Sequence, residues 1–524
     1  TGVTPGGEMP RPPSFLCLIT DQQRADHWGG AGNQVIQTPS IDRLASEGVT
    51  FDRAYVANPL CMPARATLFT GLTPRGHGVR TNGIALAYDV PTITDALRMA
   101  GYRTHGVGKI HLRPFGIPRG ARPEDLDPAE FPESQQLWQT GRVGALPRPY
   151  YGLEQVEFAG GHGSWAWGDY VVWLNEQHPR GWHLLQQEAG EPTRFGAEQS
   201  WKSAVPAQLH CSTWIANRTI AFLQEQTQRR EPFFLWCSFP DPHHPYCPPK
   251  PWCDQYDPAD VALPTRREGE LEDLPPHYRL AFEEGIQLSG RRGATRIGDD
   301  QVREMIALTY GMISLLDHQI GRILAALEET GQREDTVVMF MSDHGDMMGD
   351  HWMLNKGPFH FDGLLRIPFI WSWPQRFPEG LRSAALVSQL DFAPTILDLA
   401  GVAIPEGAVP PEPEARQMAP AWPGKSLGPL LTGSTTKLHD ELVVENDEDY
   451  LGLRLRTLIT EDHQLTAYGG QPYGELFDLR SDPHQLHNLW RSPPHRSLRD
   501  ELHTRLLHAL VQTDSALPRR LSHA

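Results

Sequence analysis

The stretch DQVREMIALTYGMISLLDHQIGRILAALEETG (300–331), followed after four residues by TVVMFMS (336–342), decides the fold. Met305, Leu308, Met312, Leu316, Ile320, Ile323 and Leu327 recur at helical spacing until Gly331, and the short run after them is almost wholly apolar, as a buried strand is. Runs of the same kind return in SFLCLIT (14–20), YRTHGVG (102–108) and FFLWCSF (233–239), with helical patterns between them. Strands alternating with helices give an α/β fold, a large, mostly parallel sheet sandwiched by helices. After residue 433, ELVVEN, LRLRTLIT and HQLTAY alternate with turns before the helical SLRDELHTRLLHALVQ. The expected division is therefore a large α/β domain over 1–433 and a smaller α+β domain over 434–524. The stretches 113–150 and 403–425 are rich in proline, and 254–300 is highly charged with few large apolar residues; all three read as loops or insertions that wall a pocket.

Length and composition agree with this plan. A chain of 524 residues exceeds the usual single compact domain, and 39% hydrophobic with 21% charged residues is ordinary for a soluble protein. Lys and Arg total 47 against 64 Asp and Glu, a formal net charge of −17, which repels nucleic acid and acidic membrane surfaces. No apolar run reaches membrane-spanning length, and the opening TGVTPGGEMPRPPS has no apolar signal-like segment. The expected compartment is cytoplasmic, or periplasmic or secreted if a leader has been removed ahead of Thr1. Six cysteines in so long a chain are no disulfide scaffold; only Cys247 and Cys253 look close enough to pair, and free thiols are at least as good a reading. Nothing in the sequence indicates an oligomeric state.

Each of the four strands runs out into polar residues: Asp21 and Gln22, then Lys109 and His111, then His243 and His244, then Asp343 and His344. Open α/β sheets bind ligands at the carboxyl ends of their strands, so these ends are expected to share one site. Asp21, Gln22 and Asp343 offer oxygens suited to a hard divalent cation, and His344 adds a nitrogen. Taken singly, each aspartate reads as a cap; taken together, two unpaired carboxylates in one cleft repel, and a metal explains them better. Lys109 and Lys356 read as solvated lysines unless they face an anion. His111 and His243 read as structural histidines when considered alone, and their place past strand ends favours proton transfer.

NPLCMPARATLFTG (58–71) reads as a short helix, with Pro63 in its first turn and Gly71 at its end. Cys61 then sits at the positive end, and Arg65, one turn on, adds a full positive charge to a place suited to an anion.

CMPAR resembles the C-x-P-x-R signature of the formylglycine-dependent sulfatases, in the alkaline phosphatase superfamily. TPSIDRLASEGVTFDRAYVANPLCMPARATLFTG, ALRMAGYRTHGVGKIHL, DPHHPY, SDHGDMMGDHWMLNKGPFHFDGLLRIP, LDFAPTILDLAG and GELFDLRSDPHQLHNL resemble further blocks of that family, in its order. The resemblance implies an alkaline phosphatase-like fold and a sulfuric ester hydrolase acting on a small-molecule or carbohydrate sulfate ester. It further implies that a formylglycine-generating maturation enzyme oxidises Cys61, with Pro63 and Arg65 part of its signal and Arg65 then holding the resulting diol. Asp21, Gln22, Asp343 and His344 fall on the metal-ligand positions, together with the oxygen of residue 61. Gln22 departs from the commoner aspartate and His344 from the commoner asparagine, both as in branches that include phosphonate and phosphate ester hydrolases. Calcium is the family default, and the nitrogen ligand admits manganese or magnesium.

Lys109, His111, His243 and Lys356 fall on the family's GK-x-H, PH-x-P and GK positions. The resemblance gives the lysines the sulfate oxygens, His243 or Lys356 the leaving alcohol, and His111 the proton of the second diol hydroxyl. Asn82 in RTNG lies where the family often places a pocket residue, although Asn-Gly is most simply a turn. His162, in GGHGSWAWGDYVVWL (160–174), and His360 complete the expected substrate-binding set, while Trp165 and Trp167 read either as sugar-stacking or as packing residues. Three alternatives stand beside this reading. A thiol nucleophile at Cys61 is one. A phosphonate or phosphate ester hydrolase is another, disfavoured by Lys109 and His111, which phosphonate monoester hydrolases lack. A noncatalytic anion-binding protein is the third. Carbohydrate, aryl and alkyl sulfates all remain open, because specificity lies in loops.

Overall fold

The computed structural model describes residues 12–284, 297–403, 423–449 and 451–513. Most of the loop expected at 403–425, and part of that at 254–300, lie outside the described residues. In chain order the strands are β1 (Ser14–Thr20), β2 (Val49–Tyr55), β3 (Arg103–Gly108), β4 (Gln155–His162), β5 (Trp165–Gly168), the two-residue β6 (Glu191–Pro192) and β7 (Trp201–Lys202), β8 (Phe233–Ser238), β9 (Thr336–Ser342), β10 (Phe369–Ser372) and β11 (Leu381–Ser388). All but β6 and β7 join a nine-stranded sheet in the order β11-β2-β10-β9-β1-β8-β3-β4-β5. Pairing is parallel without a break from β9 through β1, β8 and β3 to β4, and antiparallel where β10 and β5 join.

Both faces of the parallel centre are covered, which is why its strands read as continuous apolar runs. Phe15, Cys17 and Ile19 of β1 enter one core with Val337, Met339 and Met341 of β9, while Leu16 and Leu18 enter the other with Val338 and Phe340. The helix Asp299–Glu329 places Leu316, Ile320, Ile323 and Leu327 in the second core, as its spacing requires. The helix Cys61–Thr70 is buried along its whole length, and Met62, Ala66 and Phe69 pack in the first.

β12 (Glu441–Glu448), β13 (Leu453–Thr460), β14 (His463–Tyr468) and β15 (Gly474–Asp478) form a separate antiparallel sheet. The helix Arg496–Gln512 lays Leu502, Leu506 and Ala509 over it, while Leu442, Val444 and Ile459 join the first large core. Within 254–300 the chain makes the helices Glu270–Asp273 and Pro276–Glu284 where only loop was expected; Tyr278 and Ala281, one turn apart, are buried. Cys247 and Cys253 are not paired: all six cysteines are free and buried, and Cys247 Sγ lies 3.1 Å from Ser164 Oγ.

Candidate active site

The sheet order makes β9, β1, β8 and β3 consecutive and parallel, so the four polar strand ends meet along one edge. Backbone bonds continue the ladder past the strands: Asp343 N–H donates to Thr20 O at 3.1 Å, Asp21 N–H to Asp241 O at 3.0 Å, and Lys109 N–H to Ser238 O at 2.9 Å. The residues that follow each strand are therefore held as firmly as the strands.

Over this floor stands the amino end of the Cys61–Thr70 helix. Gly71 closes its other end at φ 69°, in the left-handed conformation that glycine adopts without strain. Asn82 Oδ1 accepts the free amide of Met62 at 3.0 Å, so Asn82 caps the helix from outside while also facing the cavity. Cys61 Sγ lies 3.2 Å from His344 Nε2, 3.8 Å from Asp21 Oδ1, and accepts from Lys356 Nζ at 2.8 Å.

Arg65 does something other than hold residue 61. Its Nε donates to Asp343 Oδ2 at 2.9 Å, one terminal nitrogen to Asp21 Oδ2 at 3.1 Å, and the other to Ser238 Oγ and Lys109 O. The two carboxylates are thus not unpaired, as the sequence reading assumed, but bridged by a guanidinium whose planar fork matches them. Lys109 also lies beneath the surface of the cavity, with its ammonium on Asp21 Oδ2 and 3.1 Å from His162 Nδ1. Burial pushes the Asp21 carboxyl up, but Lys109 and Arg65 outweigh it and hold the group well below the usual carboxylate range. Burial and Asp21 push the Cys61 thiol up; Lys109, Lys356 and His344 reverse this and lower it.

The histidine tautomers follow from their acceptors. A carbonyl can only accept, so His344 Nδ1–H donates to Gly345 O at 2.8 Å and His243 Nδ1–H to His244 O at 2.6 Å, and both Nε2 atoms lie 3.1 Å from Lys356 Nζ. His162 stacks on His243 with ring centroids 3.6 Å apart, and His111 stacks on Phe115 at the same distance. Burial, with Lys109 beside it, holds His111 well below its ordinary pKa, and burial with the neighbouring His162 and His244 does the same for His243. Both rings are neutral bases at physiological pH.

Gln22 takes a left-handed backbone at φ 66°. Its backbone amide donates to Asp343 Oδ1 at 3.0 Å and its Nε2 to Asp346 Oδ2 at 2.5 Å, leaving Oε1 buried without a partner among the described residues. His360 is not a pocket residue. It lies in the seam with the second sheet, where Nδ1 is 2.6 Å from Thr457 Oγ1 and burial lowers its pKa to about 3. Trp167 is likewise a packing residue, set edge-on to Phe115 with its indole N–H on Glu133 O.

Cys61, Asn82, His111, His162, His243 and Lys356 share a cavity of about 660 Å³. Its wall was not foreseen residue by residue. Phe115, Ile117 and Phe131 come from the proline-rich insertion, Met353 and Phe359 flank Lys356, and Glu448 and Asp449 reach in from the end of β12. Arg80 clamps Asp449 through two bonds of 2.6 and 2.9 Å. Glu133, Asp346 and Ser238 were missed too; only Asp346, inside SDHGD, carried a signal.

A buried cysteine set among lysines, an arginine and imidazoles, in a cleft at the carboxyl ends of a parallel sheet, defines an enzyme that acts on an anionic group. The chain belongs to the sulfatase family, whose model matches residues 13–402, and the model for the N-sulphoglucosamine sulphohydrolase C-terminal region matches 349–512. It is similar to an arylsulfatase of Clostridium perfringens, 29% identical over 507 residues that cover 95% of this chain and 94% of that one. A multifunctional alkaline phosphatase superfamily protein of Trinickia caryophylli is 27% identical over 542 residues, covering 98% and 96%. Among solved structures, the phosphonate monoester hydrolase of Agrobacterium radiobacter matches with a TM-score of 0.77 and 27% identity over 96% of each chain. The family read from CMPAR holds, and with it the hydrolysis of sulfate esters.

Proposed function

We propose that this sulfatase cleaves an organic sulfate monoester with a formylglycine diol made from Cys61, and that Asp21, Asp343 and His344 hold a divalent metal beside it. The observation that carries this reading is the convergence on Cys61: its Sγ and one ligand atom each of Asp21, Asp343 and His344 lie within 4.8 Å of one another, all buried. In that reading Sγ stands where an oxygen of the diol would be. Two carboxylates and an imidazole whose Nε2 faces Cys61 suit a divalent cation, and Gln22 Oε1, without a partner among the described residues, adds an oxygen at the same strand end. A nitrogen among oxygen ligands fits Mn²⁺ or Mg²⁺ as well as Ca²⁺. When bound, the metal supplies positive charge that makes the residue 61 hydroxyl easier to ionise and draws in the sulfate.

Lys356, next to Cys61, holds a sulfate oxygen. One hydroxyl of residue 61, its proton lost to solvent, attacks sulfur. The ester S–O bond breaks, and Lys356, backed by His243 Nε2, protonates the leaving alcohol. His111 then takes the proton of the remaining hydroxyl. Its oxygen becomes a carbonyl, the bond from carbon to the sulfate oxygen breaks, and water adds back to the aldehyde. Lys109 and Arg65 keep Asp21 ionised throughout, and Arg65 ties Asp343 to it.

The test has two parts. The peptide bearing residue 61, from protein matured in a host with the oxidising enzyme, should be about 18 Da lighter than its cysteine form, and an alkylatable thiol there sinks the formylglycine chemistry. On matched aryl esters, kcat/KM should favour the sulfate over the phosphonate. The likeness to a phosphonate monoester hydrolase and the presence of Gln22 and His344 make the phosphonate the competing substrate, and a preference for it would reassign the reaction.

A further inference from the structure

Glu133 lies in the proline-rich insertion, and its carboxylate is fully buried. Oε2 accepts the amide of His111 at 2.7 Å; Oε1 accepts those of Leu112 and Arg113 at 2.9 and 3.0 Å and the hydroxyl of Tyr150 at 2.7 Å. Three consecutive amides turned toward one point make an anion-holding bend, and here the chain supplies the anion itself. The bend needs it. His111 stands at φ 60°, where a side chain crowds its own backbone, and a residue stays there only if its surroundings hold it.

The ring of His111 is held from the same segment. Its Nδ1 is buried and has no hydrogen-bond partner among the described residues, so none of them sets the ring plane through that atom. The ring instead lies flat on Phe115, 9° from parallel. Phe115 is anchored in turn, since its carbonyl accepts the amide of Gln135 at 3.0 Å, two residues beyond Glu133. One short stretch, 133–135, therefore fixes both the backbone of His111 and the face against which its ring rests.

We infer that Glu133 is a positioning residue for His111. Its four accepted hydrogen bonds hold the histidine over residue 61, and the Phe115 stack fixes the ring. The role rests on the proposed function, in which His111 serves only the second half of the cycle, so the prediction separates the two halves. Glu133→Gln turns an N–H toward the amide donors and loosens the bend. The alcohol of the first turnover should still be released in a burst. Steady-state kcat should fall by about 100-fold, as misplacement of a catalytic group by about 1 Å does, while kcat/KM stays near wild type. The peptide of residue 61 should then gain about 80 Da of covalent sulfate during turnover.

A merely structural role predicts something else, a fall of kcat and kcat/KM together with no sulfated peptide, and that result overturns the inference. Tyr150→Phe removes one donor and keeps the ring; it should show the same split at several-fold size, and stands in if Glu133→Gln does not fold. A crystal structure of either variant gives a readout independent of the chemistry. Displacement of His111 from Phe115 supports the positioning role, and an unmoved His111 overturns it. A wild-type enzyme with a thiol at residue 61 and no turnover of sulfate esters would instead count against the sulfatase chemistry, leaving the displacement of His111 to decide the role of Glu133.

Discussion

Two buried acids in this molecule meet opposite fates. Asp21, on the floor of the site, touches Arg65 and Lys109 and stays ionised far below the usual range. Glu475, inside the second sheet, has the Tyr468 hydroxyl 3.1 Å away and no cation in contact among the described residues, and burial raises its pKa to about 7. Two buried histidines repeat the contrast: His344 is raised by Asp343 and Cys61 despite burial and Lys356, whereas His360, sixteen residues on, is driven to about 3. Depth alone neutralises a group. At Asp21 the charge is retained because counter-charges are built beside it at the strand ends.

The strongest way to break this contrast is to remove the bridge. Arg65→Met leaves Asp21 and Asp343 buried with one cation fewer, and should cost about 3–5 kcal/mol in urea unfolding. A midpoint equal to wild type would mean that the floor does not depend on the bridge. Glu475 should show the opposite sensitivity. Its folded pKa, near 7, is above the ordinary 4.5 of a glutamate, so the stability it contributes is complete below about pH 4.5 and is lost as pH rises through 7. The loss amounts to at most about 3 kcal/mol, and Glu475→Gln should flatten that part of the curve relative to wild type. Identical slopes would refute the raised carboxyl.

Smaller effects sharpen the line between floor and wall. Ile117→Ala removes apolar wall, so kcat/KM for a bulky sulfate ester should drop about 10-fold, with little change for a small one. His360→Ala should leave turnover intact and cost about 1 kcal/mol for its lost bond to Thr457, read as a shift in Tm. Lost turnover would return His360 to the pocket.

The sheet and the floor were legible because local chemistry wrote them. Apolar runs such as TVVMFMS announce buried strands, and polar residues straight after them have only one place to be, the strand ends. What could not be read was who faces whom. Arg65 looks like a residue for the nucleophile until the fold brings Asp343 to it from 278 positions away. Glu133 sits among prolines with no motif around it, and its meaning comes from three amides on another loop. His360 follows Lys356 closely in sequence, yet the chain between them turns it into the seam beneath Thr457. Pairings across long loops, set by packing, leave no trace in spacing.

The seam also imposes an order in time. Cys61 is 1% exposed, its helix is buried on every side, and the residues just before it are pinned by β12: Glu445 N–H donates to Ala57 O at 2.9 Å, and Asn58 Nδ2 donates to Glu445 O at 2.6 Å. Residue 445 leaves the ribosome long after residue 61. Until it does, the approach to the cysteine is unlocked. Any enzyme that must grasp this segment has the interval of synthesis in which to work, and once the last sixth of the chain docks, that opportunity has passed.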